Sequence, residues 1–172
     1  MEKQPVAFAH EHPPRCIANA RPKPLRAILP EMDADPFVAY FTVGCPCGER
    51  VIYPLGHVAR SEAPETVDLF LSPLAIECPA CGLVIEILHT KQHGWDGEQG
   101  CDCNMVGKGA RSRFPCPNCG EAPMAVMPGF SYQGDDPRTW GGRPQDYFGA
   151  YSLYGQCGKC GLVVCITGFE CA

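Results

Sequence analysis

"CPACGLVIEI", residues 78–87, and "CGKCGLVVCI", residues 157–166, carry Cys, Cys, Gly, Leu, Val and Ile at the same six places. Two thiols three positions apart, followed by a Gly and an apolar β-branched run, describe a tight turn that feeds a strand. Upstream of each copy stands another close pair, Cys45 and Cys47 in "CPCG" and Cys116 and Cys119 in "CPNCG". Aligning Cys78 on Cys157 gives an offset of 79, and aligning Cys47 on Cys119 gives 72, so the copies differ by a few residues in the middle loop. The chain reads as one cysteine unit written twice.

The remaining sequence sets limits on what this unit is. The chain has 172 residues, 45% of them hydrophobic and 19% charged, an ordinary composition for a folded protein of one or two small domains. With 19 Gly and 18 Pro it suits short strands and tight turns better than long helices. No stretch approaches the roughly 20 apolar residues of a membrane span. The opening "MEKQPVAFAHEHPPRC" lacks a signal-peptide pattern, which predicts a cytoplasmic protein. Thirteen cysteines in a reducing compartment point to metal ligation instead of disulfides.

Four segments follow from the pattern. Residues 1–36, with Pro at 5, 13, 14, 22, 24, 30 and 36, predict an extended Pro-rich arm. Residues 37–90 alternate β-rich runs with Cys-Gly turns. Residues 91–111 are polar and Gly-rich and predict a linker, and residues 112–172 form the second unit. In each unit two thiol turns far apart in sequence can close one tetrahedral four-thiolate site. The stretches between them are 30 residues (48–77) and 37 residues (120–156) long. The expected ligand sets are Cys45, Cys47, Cys78 and Cys81, and Cys116, Cys119, Cys157 and Cys160.

The phrases "CPCG", "CPACG", "CPNCG" and "CGKCG" resemble the knuckles of the zinc-ribbon family and, less closely, those of the bacterial CpXC group. The resemblance covers residues 37–90 and 112–171. It implies a small, mainly β fold, two tandem ribbons of short antiparallel strands, with one structural zinc in each and no shared activity. The "CPCG" knuckle is one residue short of the usual form, so its turn must differ. Rubredoxin-type iron centres use similar turns, and all-sulfur tetrahedral ligation does not by itself separate zinc from iron.

Other candidates surround these sets. His89 and His93 lie near Cys101 and Cys103, and these four make a candidate third site that would raise the count from two zinc ions to three. Free thiols, a redox-active Cys-Asp-Cys, and substitution of this pair for Cys45 and Cys47 are the alternatives. His10, His12 and Cys16 are expected to be solvated in the arm, His57 to lie at the surface, and Cys165 to be a small core residue. Trp95 and Trp140 sit in Gly-rich polar segments, as lids over a small core or as anchors for a partner.

Function follows from what the sites leave open. Four protein ligands per ion leave no position for catalysis, and "PCPNC" lacks the upstream His-x-Glu that a zinc deaminase needs. No catalytic residues are expected. The net charge is −5, with −4 concentrated in residues 37–90, which disfavours nucleic acid; only Arg21, Lys23, Arg26, Lys108, Arg111 and Arg113 could form a basic patch. The sequence therefore predicts a non-catalytic zinc-binding protein that scaffolds protein–protein interaction, with a small accessory subunit of a larger complex as one form of that role. The alternatives are a nucleic-acid-binding ribbon and a rubredoxin-like iron electron carrier.

Overall fold

The computed structural model describes residues 4–59, 69–94, 106–132 and 143–170. The strands are β1 (Lys23–Pro24), β2 (Val38–Thr42), β3 (Val51–Ala59), β4 (Leu69–Glu77), β5 (Val84–Leu88), β6 (Ser112–Arg113), β7 (Met124–Ser131), β8 (Ala150–Cys157) and β9 (Val163–Glu170). All are antiparallel and belong to one curled sheet. Period-two burial appears most cleanly in β8, where Tyr151, Leu153 and Cys157 are buried and alternate with partly exposed residues.

The sequence repeat is also a structural repeat. In the first unit β3 pairs with β4 and β4 with β5; in the second β7 pairs with β8 and β8 with β9. Tyr53 faces Glu77 as Ala125 faces Gln156, and Glu77 faces Val84 as Gln156 faces Val163. The repeat extends to a defect. Ile87 is the extra residue where the β4–β5 register slips, and Ile166, its counterpart, is the extra residue between β8 and β9. A bulge of this kind bends its strand and increases its twist, so both units curl the same way.

The two units join along β3 and β7, where Ile52 pairs with Met124. These residues are also equivalent in the repeat, and antiparallel pairing of equivalent positions places a pseudo-twofold axis between them. Both side chains are fully buried. The strand before each Cys turn crosses to the other unit: β2 pairs with β7, and β6 pairs with β3. The equivalent bonds recur, with Val43 N–H donating to the Val126 carbonyl at 3.2 Å and Phe114 N–H to the Pro54 carbonyl at 2.9 Å. Along the β7 edge, β2 and β3 form one interrupted strand, and residues 44–50 are the excursion that carries Cys45 and Cys47.

Residues 4–36 depart from the expected extended arm. Gln4–Glu11 form helix α1, Arg15–Ala20 a 3-10 turn, and β1 pairs with β2. Pro5 falls in the first turn of α1, where a missing N–H costs nothing, and Pro13 and Pro14 stop the helix. The prolines punctuate short elements here instead of preventing them. Val6, Ala9, Ile17 and Ala20 enter the main core, and Arg15 binds Asp146 through both its backbone N–H (2.8 Å) and its Nε (2.7 Å). His10 is therefore buried, edge-on to Phe41, and His12 lies against Phe8. Among the described residues no helix is long and apolar enough to cross a membrane.

Two more expectations are corrected. His57 is buried within β3, because Gly107 leaves room that any side chain would take: a Cβ there would lie 2.0 Å from that of His57. Cys165 is exposed, since it precedes the Ile166 bulge that reverses which face of β9 points inward. Trp95 and Trp140 lie outside the described residues.

If the N-terminal segment is core, Ile17→Ala will cost about 2–5 kcal/mol in denaturant unfolding of the metal-loaded protein. Ile52→Ala at the pseudo-axis will cost a similar amount, while Val58→Ala, at a side chain 42% exposed, will stay within about 0.5 kcal/mol. An Ile17→Ala variant as stable as the parent would restore the solvated arm.

Candidate metal centres

Each unit contributes two thiol turns to one cluster. Cys45 and Cys47, between β2 and β3, meet Cys78 and Cys81 from the β4–β5 turn; Cys116 and Cys119, between β6 and β7, meet Cys157 and Cys160 from the β8–β9 turn. Within each set all four Sγ atoms lie within 4.8 Å of one another. The facing sulfurs are 3.5 Å apart for Cys45–Cys81, Cys47–Cys78 and Cys119–Cys157, and 3.6 Å for Cys116–Cys160. A metal–sulfur bond of about 2.3 Å puts tetrahedral sulfurs about 3.8 Å apart. The donor sets therefore fit one four-coordinate ion each.

Local backbone geometry explains how the thiols converge. In the β4–β5 turn the Cys78 N–H donates to the Leu83 carbonyl and the Gly82 N–H to the Cys78 carbonyl, both at 2.9 Å. Cys157, Leu162 and Gly161 repeat both bonds at the same length. Closing this loop needs a positive φ at its fifth residue, and Gly82 (+73°) and Gly161 (+77°) supply it. The short "CPCG" turn closes differently. Its Gly48 N–H donates to the Cys45 carbonyl at 3.0 Å and its Cys45 N–H to the Glu49 carbonyl at 2.8 Å. The missing residue alters the turn but not the convergence of its sulfurs.

Orientation is the same in both sets. The first cysteine of each turn, Cys45, Cys78, Cys116 and Cys157, is buried; Cys47, Cys81 and Cys160 are exposed and Cys119 is half-buried. An ion held there ties core to surface.

Within each set the thiols are driven apart in acidity. The Asn118 side chain, then the Leu162 N–H, bring Cys160 down to about 6, while the neighbouring Cys157 sulfur and then burial push Cys119 up to about 12. Cys157 is lowered, first by the Cys160 N–H. In the other set the Cys47 N–H favours the Cys45 thiolate, but burial and the facing thiols outweigh it and push Cys45 up to about 12. Burial opposes the Cys78 thiolate, yet the N–H groups of Cys81 and Ala80 and the thiols of Cys47 and Cys45 bring it down to about 7. Each set thus places thiols shifted towards the thiolate, Cys78 in one and Cys157 and Cys160 in the other, beside one shifted the opposite way.

The proposed third set is not assembled among the described residues, since Cys101 and Cys103 lie outside them. His89 Nδ1 accepts the Lys91 N–H (3.2 Å) and His93 Nδ1 accepts the His89 N–H (2.8 Å), which leaves both imidazoles protonated on Nε2 when neutral. As placed, they offer donors at Nε2 instead of lone pairs.

Two contributors had no conspicuous signature in the sequence. Asn118 sits inside "CPNCG" and is recognisable only once its amide is seen beside Cys160. Arg113, expected as part of a basic patch, instead bonds Glu77 through two nitrogens (2.9 and 3.0 Å) and Glu121 at 2.6 Å, with its guanidinium 3.9 Å over the Tyr53 ring. Glu77 precedes Cys78 and Glu121 follows the Cys119–Gly120 turn, so one guanidinium links the two clusters. Comparison with family models, curated proteins and solved structures returned no match. The metal sites therefore rest on their own geometry.

Metal loading must displace thiol protons. At pH 7 zinc binding is expected to release at least one proton from each set, those of Cys45 and Cys119, measured by buffer-dependent calorimetry. Affinity will fall as the pH falls, and more steeply below about 6, where Cys160 also takes up a proton. A metal affinity unchanged between pH 8 and 5 would rule out thiolate ligation.

Proposed function

We propose that the chain is a non-catalytic zinc protein whose two four-cysteine ribbons are structural and whose surface serves protein–protein interaction, as a small subunit of a larger assembly. The carrying observation is the closure of both sets: eight sulfurs arranged as two four-donor clusters provide all the ligands a structural ion needs. When bound, zinc supplies a redox-inert cross-link between distant turns, and the thiolates keep their charge in a reducing compartment such as the cytoplasm. Cys101 and Cys103, with His89 and His93, remain candidates for a further ion, which would require each imidazole to release its Nδ1 contact or its Nε2 proton.

Nucleic-acid binding is the weaker reading. Arg113 is paired to Glu77 and Glu121, and Arg111 lies 3.7 Å from Glu86, so two of the six candidate cations already face carboxylates. A rubredoxin-like iron centre would use the same sulfur geometry, and metal identity decides between carrier and scaffold.

Isolation of the tagged chain from its native lysate, at low and high salt, tests the interaction reading. A protein retained in stoichiometric amount at both salt concentrations is expected, with nucleic-acid binding weak. Tight RNA or DNA binding that falls steeply with salt, without a protein partner, would replace this reading with the nucleic-acid one.

A further inference from the structure

The two cysteine sets are joined by a side-chain bridge, and both its ends abut ligand turns. Glu77 directly precedes Cys78, and its backbone is held between Tyr53 and Val84. Glu121 directly follows Gly120, whose N–H donates to the Cys116 carbonyl at 2.9 Å and whose carbonyl accepts the Cys116 N–H at 2.8 Å. Arg113 spans the two. Its Nε and Nη2 donate to the two carboxylate oxygens of Glu77 at 2.9 and 3.0 Å, and its Nη1 donates to Glu121 at 2.6 Å. Its own backbone lies in β6, opposite Leu55 of the first unit and just before Cys116 of the second.

An exposed ion pair is ordinarily worth little, because water competes for each charge and two long side chains must be ordered. Arg113 escapes part of both costs. The forked contact with Glu77 fixes the plane of the guanidinium, which rests 3.9 Å from the centre of the Tyr53 ring. The side chains of Arg113 and Glu77 are 36% and 26% exposed; that of Glu121, the outer end of the bridge, is 59% exposed. A second contact runs beside the bridge. Gly158, between Cys157 and Cys160, donates its N–H to the Pro123 carbonyl at 2.9 Å. A Cβ there would lie 2.8 Å from Val51 Cγ1, so the turn of the second set lies against the strand that follows Cys45 and Cys47.

Ordering a ligand turn costs conformational entropy, which metal ligation must offset. Closing the first set orders the turn beside Glu77, and the fork passes that constraint to Arg113, to Glu121 and so to the Cys116–Gly120 turn. The second set then closes from a turn already ordered, at a lower entropic cost. By linkage the effect is equal in both directions.

We infer that the two four-cysteine sets fill cooperatively with zinc and that Arg113, through Glu77 and Glu121, is the positioning residue that couples them. The inference rests on the reading of both sets as zinc sites and adds to it that the half-filled chain is the disfavoured species.

The test titrates the full-length, nitrogen-15-labelled chain with zinc against a competing chelator. Native mass spectrometry counts the chains holding no, one and two zinc ions, and the amide signals of Gly82 and Gly161 give the occupancy of each set. Together they yield the populations of the empty, the doubly filled and the two singly filled forms. The product of the first two divided by the product of the last two is the coupling factor, whatever the affinity of either site. A factor of about ten or more is expected for the parent. In Arg113→Met and, separately, in Glu121→Ala it should fall about fivefold or more, with two zinc ions still bound at saturation. A residue that merely stabilised one turn would shift the affinity of that set and leave the factor unchanged. If Arg113→Met fails to fold, the exposed Glu121 still decides the matter. A factor near one in the parent, or an unchanged factor in the folded variants, would overturn the inference and leave the zinc sites standing. A chain that binds no zinc at these sets would overturn both.

Discussion

Four thiolates brought within 4.8 Å of one another repel unless a cation lies among them, and this structure makes that demand twice. The turns that meet at each cluster come from strand ends far apart in sequence, so each closure fixes the register of its unit. In the first unit it holds the start of β3 against the β4–β5 turn, and in the second the start of β7 against the β8–β9 turn. Without an ion, Cys45 and Cys119 retain protons and the charge of each set is reduced, at the cost of the cross-link. An ion bound there would add its binding free energy to folding.

Because β3 and β7 pair at Ile52 and Met124, constraining one unit constrains the other. The exchange of β2 and β6 between units reinforces the joint. Arg113 then breaks the pseudo-symmetry. Its repeat counterpart is Thr42 and that of Glu77 is Gln156, so the ionic link between the clusters exists once. The N-terminal segment is a second asymmetry. It covers one face with Leu25, Leu29 and Met32, which pack with Tyr40 and Met127 in a second, smaller core cluster.

The ligand sets were legible because thiol chemistry is local: two turns of matched spacing announce a site before any strand is placed. The duplication was legible for the same reason, down to the offsets that later matched paired residues. What the sequence did not reveal was how the two copies meet. No residue type marks Ile52 or Met124 as an axis, and strand exchange depends on pairs such as Tyr40 with Gly129 and Gly56 with Ser112, far apart in the chain. The N-terminal helix was hidden by its prolines, whose effect depends on whether they fall within an element or at its ends. Cys165 was misplaced by a one-residue bulge, and His57 by a glycine 50 positions away. Such errors share a cause. Each depends on a contact between segments that local pattern does not connect.

X-ray absorption at the zinc edge, on the full chain purified without added metal and with its metal content measured, addresses the central claim most directly. Two ions per chain, each with four sulfur neighbours at about 2.3 Å and no lighter scatterer, are predicted. A third ion with mixed nitrogen and sulfur neighbours would add the His89, His93, Cys101 and Cys103 site without disturbing the first two. Oxygen or nitrogen in the averaged shell at two ions per chain, or a single ion per chain, would contradict the closed four-thiolate sites on which the proposed structural role depends.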